Sequence, residues 1–182
     1  MNELSKVKED NPFNVRRSWN KQEESRCDLK DCVSVHRRKD YTFFSLWKKT
    51  TTGRSLTEIK RDPEMIKLFA DKSIRLIKEI VGLNSVEGWC IITSPKRRNR
   101  MHNFSSKVCK AISSNIGFPF YDNLVFAKNR RRINPVFVLQ DHVIEKNIIL
   151  WDDIITTGST IGAIRDLLKD KNIITICAIN NN

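Results

Sequence analysis

The sequence predicts an α/β fold with a mainly parallel, doubly wound sheet, and three features carry that reading. Short apolar runs of strand length, among them Trp89-Cys90-Ile91-Ile92 and Ile148-Ile149-Leu150-Trp151, alternate with longer stretches whose apolar residues recur at helical spacing. These runs are apolar at successive positions, the pattern of strands covered on both faces. One run leads through Asp152-Asp153-Ile154-Ile155 into the small-residue loop Thr156-Thr157-Gly158-Ser159-Thr160, which opens a helix. Parallel sheets bind ligands beyond the carboxyl ends of their strands, at turns of this kind.

A chain of 182 residues is long enough for one domain, or for a core with an added subdomain. Its 33 Lys and Arg against 21 Asp and Glu leave a formal net charge of +12, which calls for an anionic partner: a polyphosphate, a nucleic acid or an acidic surface. The five cysteines, Cys27, Cys32, Cys90, Cys109 and Cys177, are too sparse for a secreted disulfide scaffold and point to a reducing, cytoplasmic setting. No apolar run approaches membrane-spanning length, so a soluble chain without a membrane partner is expected.

Residues 1–40 are dense in charge, with Arg16-Arg17, Glu23-Glu24 and Arg37-Arg38-Lys39 interrupting every apolar stretch, and are expected to form a charged, mobile arm. Cys27, Cys32 and His36 fall one ligand short of a structural zinc site. Tyr41, Phe43, Phe44 and Trp47 follow. A helix then starts at Asp62, an N-cap carboxylate ahead of Pro63 and Glu64. Ile66, Phe69, Ala70, Ser73, Ile77, Ile80 and Val81 give it one apolar face, and Gly82 is placed for a left-handed cap. A strand over residues 89–92 runs into Thr93-Ser94-Pro95 and the basic loop Lys96-Arg97-Arg98-Asn99-Arg100. Asn103 caps a second helix carrying Phe104, Val108, Ala111 and Ile112, closed by Gly117. Residues 118–126 read as a short strand and turn, Lys128 to Arg132 as a second basic run, and residues 136–139 as another strand. Beyond the loop at 156–160, Ile161, Ile164, Leu167 and Leu168 mark a helix face, and residues 173–179 make a final strand.

The chemistry concentrates at Asp152-Asp153 and the loop after them. Two adjacent carboxylates accept hydrogen bonds from neighbouring sugar hydroxyls or hold a divalent cation among hard oxygens. The free amides and hydroxyls at a helix start attract a phosphate. Together they form a clamp for a phosphorylated sugar. A Walker B element ends similarly, but the chain has no GxxxxGK[ST] loop to accompany it and no GxGxxG fingerprint.

This arrangement resembles the phosphoribosyl diphosphate (PRPP) signature of the type I phosphoribosyltransferases: an apolar strand, an acidic pair, two apolar residues and a Thr/Gly/Ser loop. Trp151 is larger than the aliphatic residue usual there. The resemblance covers residues 86–180 and implies a type I core over 86–182, a hood and packing helix over 41–85, and the arm over 1–40. It implies Asp152 and Asp153 as catalytic residues that also hold Mg2+, directly or through water. Thr156, Thr157, Gly158, Ser159 and Thr160 would bind the 5′-phosphate of PRPP. Pyrophosphate would be held by Ser94, Lys96, Arg97, Arg98 and Arg100 in one loop and by Lys128 and Arg130 in another. A cis peptide is often found in the first of these loops, and the Ser94-Pro95 bond can adopt one at modest cost.

The implied reaction transfers phosphoribose from PRPP to a nucleobase or amine nitrogen and releases pyrophosphate. Members acting on 6-oxopurines carry an aspartate where this chain has Thr156, which points away from that acceptor class. The Arg97, Arg98 and Arg100 spacing ahead of Asn103-Phe104 is similar to the ComF-type branch, without that branch's paired CxxC motifs. A competing reading is a PRPP-sensing or nucleic-acid-binding regulator on the same fold, supported by the basic arm and by the mix of Trp47 with Lys48, Lys49 and Arg54. A homodimer is left open.

Overall fold

The structure is a computed structural model that describes residues 25–38, 40–82, 87–95, 103–128 and 136–181. The described elements run β1 (Arg26–Cys27), β2 (Ser34–Arg37), β3 (Thr42–Lys48), β4 (Arg54–Ser55), α1 (Leu56–Arg61), α2 (Pro63–Val81) and β5 (Trp89–Thr93). They continue with α3 (Phe104–Ile116), β6 (Phe120–Tyr121), β7 (Val125–Ala127), β8 (Phe137–Leu139), β9 (Asn147–Ile155), α4 (Ser159–Leu167) and β10 (Asn172–Asn180).

Six strands form the main sheet in the order β2-β3-β10-β9-β5-β6. All neighbours are parallel except β2, which runs antiparallel to β3 at one edge. The apolar runs of β9 and β10 occupy the middle of the sheet, and Ile148, Ile149, Leu150, Trp151, Ile176 and Ile179 have no accessible surface. Because side chains alternate along a strand, each run supplies both cores. Leu46, Ile91, Ile149, Trp151, Ile176 and Ala178 pack with residues of α2 and α3. Phe43, Cys90, Ile92, Ile148, Leu150 and Cys177 form the other core with α4 and the β7-β8 hairpin. That two-sided covering makes the fold doubly wound.

Local chemistry sets the helix ends. Ser55 and Glu58 make a reciprocal capping box at the start of α1, and Asp62 ends α1 and caps α2 by accepting from the Glu64 amide at 3.0 Å. Asn103 caps α3, and Gly117 closes it in the left-handed conformation at φ 79°, ψ 4°. Gly82 departs from the expected left-handed cap: at φ 82°, ψ 156° it holds an extended conformation open essentially only to glycine. The oversized Trp151 is accommodated by a buried polar tie, its Nε1 donating to Ser73 Oγ at 3.0 Å while that hydroxyl donates to the Phe69 carbonyl at 2.7 Å.

Several elements differ from expectation. The segment 41–85, expected as hood and packing helix, divides: Thr42–Lys48 is a strand of the main sheet, with Phe43 and Trp47 in the core, and α2 packs on it. The described part of the expected arm contributes β1 and the edge strand β2; residues 1–24 lie outside the described residues. Residues 118–126 split into β6, which joins the main sheet, and β7, which pairs antiparallel with β8 outside it. Residues 136–139 therefore belong to a hairpin. No cis peptide occurs among the described residues, Ser94-Pro95 included. Among the described residues, no helix is long and apolar enough to cross a membrane. Burial pushes the Cys90 thiol up to about 12 and raises those of Cys109 and Cys177 well above the ordinary value, as expected of cysteines packed in a core.

Candidate functional site

The site forms at the carboxyl ends of β5 and β9. Thr93 lies beside Trp151 in the parallel register, so Ser94, just past the end of β5, neighbours Asp152, which is still paired with Cys177 of β10. Ser94 Oγ donates to Asp152 Oδ1 at 2.7 Å, and the Asp153 amide donates to the same oxygen at 2.9 Å. Asp152 keeps a little accessible surface, yet protein atoms surround its carboxyl closely. Lost hydration, followed by the neighbouring Asp153 charge, pushes its pKa up to about 7 against the opposing pull of Ser94, the Asp153 amide and Lys60. Asp153 pairs with Lys60 of α1 through its Oδ2.

The loop after β9 is shaped by contacts from the start of β3. Gly158 adopts φ 75°, ψ 2°, and a methyl group there would approach Tyr41 Oη to 2.3 Å. The Tyr41 hydroxyl donates to the Gly158 carbonyl at 3.1 Å, and Arg38 Nη2 donates to the Thr156 carbonyl at 2.6 Å. The Arg165 guanidinium lies 5.4 Å from the Tyr41 ring centre. Thr157 Oγ1 and Ser159 Oγ are 3.0 Å apart, and Thr156, Thr157 and Ser159 are exposed. Gly158, the N-cap of α4, offers no side chain, and the Ser159 amide reaches Thr157 Oγ1 at a long 3.4 Å, a helix start that suits an anion.

Of the residues predicted for the site, Ser94, Asp152, Asp153, Thr156, Thr157, Gly158, Ser159 and Thr160 come together at one end of the sheet. Lys128 follows β7, where its amide donates to the Val136 carbonyl at 2.8 Å, and makes no hydrogen bond or ion pair with the acidic pair or loop among the described residues. Lys96, Arg97, Arg98, Arg100 and Arg130 lie outside the described residues. So does most of the segment behind the ComF-type resemblance, apart from Asn103 and Phe104, which start α3. Lys60 and Arg38 were not expected at the site, and Tyr41, an aromatic of the expected hood segment, contacts the loop at Gly158. The Ser55 to Glu58 capping pattern would have revealed α1, but no local signal connects Lys60 to a residue so distant in sequence. A cleft of about 260 Å3 beside α4, lined by Asp40, Tyr41, Arg165, Asp166 and Lys169, meets the site through Tyr41 alone.

The donor set fits Mg2+. Two carboxylates at a strand end match a cation that is commonly bound through one or two carboxylates, with water and substrate phosphates completing its shell. Among the described residues no larger group of His, Cys, Asp and Glu converges that would favour a fully protein-ligated metal instead.

No protein-family model and no curated protein sequence matches the chain. Solved structures do. A crystal structure of an adenine phosphoribosyltransferase aligns with a TM-score of 0.53 at 15% identity, over 84% of this chain and 86% of the other. Adenine phosphoribosyltransferase from Saccharomyces cerevisiae, complexed with D-2,5-dideoxy-2,5-imino-altritol 1,6-bisphosphate and adenine, aligns with a TM-score of 0.51 at 15% identity, over 81% of this chain and 84% of the other. At this identity the likeness is one of fold: mixed α/β with a central, mostly parallel six-stranded sheet.

Proposed function

We propose, starting from the fold it shares with the type I phosphoribosyltransferases, that the chain transfers phosphoribose from PRPP to a nitrogen acceptor with Mg2+ and releases pyrophosphate. One observation carries this reading: the enclosed pair Asp152 and Asp153 is joined by a short glycine-shaped loop to the uncapped start of α4. Carboxylates and a phosphate cradle are thereby held on adjoining elements at one end of the sheet.

In the reaction the acceptor nitrogen forms a bond to the anomeric carbon. The bond from that carbon to the pyrophosphate oxygen breaks, its electron pair leaves with pyrophosphate, and the nitrogen's proton passes to solvent. Thr156 to Thr160 hold the 5′-phosphate with loop hydroxyls and helix amides, fixing the sugar. Asp152 and Asp153 face the ribose, orient its hydroxyls and stabilise the positive charge that develops as the leaving group departs. Ser94 holds Asp152 in place at 2.7 Å. Lys128 and the basic residues Lys96, Arg97, Arg98, Arg100 and Arg130 supply charge for the pyrophosphate, each charge-assisted hydrogen bond contributing about 1.5 to 3 kcal/mol. Asp152 and Asp153 would hold Mg2+, which when bound would supply positive charge to the departing pyrophosphate.

The acceptor side is assigned to the N-terminal cap of β1, β4 and α1, tied to the end of β10 where Ser25, just before β1, donates from Oγ to Asn181 Oδ1 at 3.1 Å. Thr156, in place of an acidic residue, directs the acceptor away from 6-oxopurines. The adenine enzymes that share the fold make adenine the first acceptor to assay. Pyrophosphate release from PRPP, followed across a panel of nucleobases and amines, tests the proposal. Release that requires one acceptor is expected, and silence across the panel would overturn transfer as the function.

A further inference from the structure

We infer that Lys60 is a positioning residue of this site: a tethered counter-ion that holds Asp153 in the ligand-free chain and has to release it before a divalent cation takes the carboxylate. The inference rests on the proposed Mg2+ and PRPP site and goes beyond it by assigning a role to a helix in the N-terminal cap.

The geometry argues against an incidental surface pair. The Asp153 side chain is 15% exposed and the Lys60 side chain 35%, so the pair sits at the rim of the site. Helix α1 has only six residues and would be marginal in isolation, yet it is fixed at every point around Lys60. Ser55 Oγ accepts from the Glu58 amide at 3.3 Å, and Glu58 Oε2 accepts from the Ser55 amide at 2.7 Å. Ile59, immediately before Lys60, has no accessible surface. Arg54 and Asp62 pair across the ends of the helix at 2.7 Å. The Leu56 amide donates to the Ser25 carbonyl at 2.9 Å, and Ser25 Oγ donates to Asn181 Oδ1 at 3.1 Å, lacing the cap to the end of β10.

The firm base fixes where the Lys60 side chain starts, and its ammonium reaches Asp153 Oδ2. With the Asp152 carboxyl adjacent, that ammonium pairs with Asp153 and holds its carboxylate in one orientation. A divalent cation competes for the same oxygen, so lysine and metal exclude one another. The helix holding Lys60 belongs to the proposed acceptor cap, which links cation arrival to a change at the acceptor side.

The test is Mn2+ titration followed by electron paramagnetic resonance, with Mn2+ as the probe of the divalent site. Lys60→Met is expected to bind Mn2+ about two- to fivefold more tightly than the wild type, the factor corresponding to one released ion pair at a partly exposed position. Lys60→Arg keeps the charge and is expected to restore wild-type affinity. Lys67→Met removes an equal charge from an exposed position of α2 and is expected to change nothing. Adding Asp152→Asn and Asp153→Asn to Lys60→Met should abolish the gain. Circular dichroism confirms that each variant keeps its helices. Unchanged or weaker Mn2+ binding by folded Lys60→Met overturns the inference, as does an equal gain in Lys67→Met. A parallel thermal-shift series with PRPP and Mg2+ separates the two levels. Stabilisation of the wild type without a Mn2+ gain in Lys60→Met sinks the role of Lys60 and leaves the PRPP site. A Mn2+ gain without any PRPP effect does the reverse.

Discussion

Asp152 is held under opposing influences. Burial and the Asp153 charge favour its neutral form, and Ser94, an amide and Lys60 favour its ionised form; the balance leaves its pKa at about 7. The unfolded value is about 3.9, so the folded chain binds this proton more tightly. Below about pH 4 both states are protonated and the group contributes nothing to stability. Between about pH 4 and 7 the unfolded chain ionises first and stability falls as pH rises; above 7 the full penalty is present. Asp152→Asn removes that penalty. Urea denaturation should therefore find the variant more stable than the wild type by about 1 to 3 kcal/mol at pH 8, with the difference vanishing toward pH 4. A gain independent of pH would contradict this assignment. The acidic pair was legible in the sequence because its strand, charges and loop are contiguous. Lys60, Arg38 and Tyr41 were not, because each meets the site through a fold-level contact.

At the scale of elements, the loop between β9 and α4 depends on a close fit between Gly158 and Tyr41. Gly158→Ala meets the strain of a positive φ and places its methyl group 2.3 Å from the tyrosine oxygen. It is expected to cost about 2 to 3 kcal/mol. Tyr41→Phe loses the hydrogen bond to the Gly158 carbonyl and should cost about 1 kcal/mol. The double variant should cost about 1 kcal/mol less than the sum, because the phenylalanine lacks the obstructing oxygen and only the backbone strain remains. Strict additivity in denaturation experiments would show that the two do not share this contact. The glycine turn was readable from Thr156-Thr157-Gly158-Ser159-Thr160, as were the caps at Asp62 and Asn103. The strand β3 was missed because Phe43 pairs with Thr175, a partner no local window contains. Residues 136–139 look like an interior strand by composition, but the nearby β7 captures them into a hairpin, leaving Val138 and Leu139 each 37% exposed.

Across the whole molecule, the site joins parts of the chain that the sheet order brings to one end. The end of β5 leads to Ser94, β9 contributes the acidic pair, α4 its first turn, the approach to β3 the props under the loop, and the cap contributes Lys60. Alternating strands and helices made the layered architecture readable, since both faces of β9 and β10 had to be covered. The place of β3 beside β10, and hence the route by which the N-terminal cap reaches the acidic pair, follows from pairing over long sequence distances. The net charge of +12 fits a densely anionic ligand such as the proposed PRPP. The most direct measurement is the thermal shift produced by PRPP with Mg2+, each protein compared with its own ligand-free baseline. At about a hundredfold excess over Kd, the wild type should gain about 2.7 kcal/mol, or roughly 5 to 10 °C for a chain of this size, and the Asp152→Asn, Asp153→Asn double variant should gain nothing. No shift in the wild type, or an equal shift in the double variant, would contradict a PRPP clamp at the end of β9.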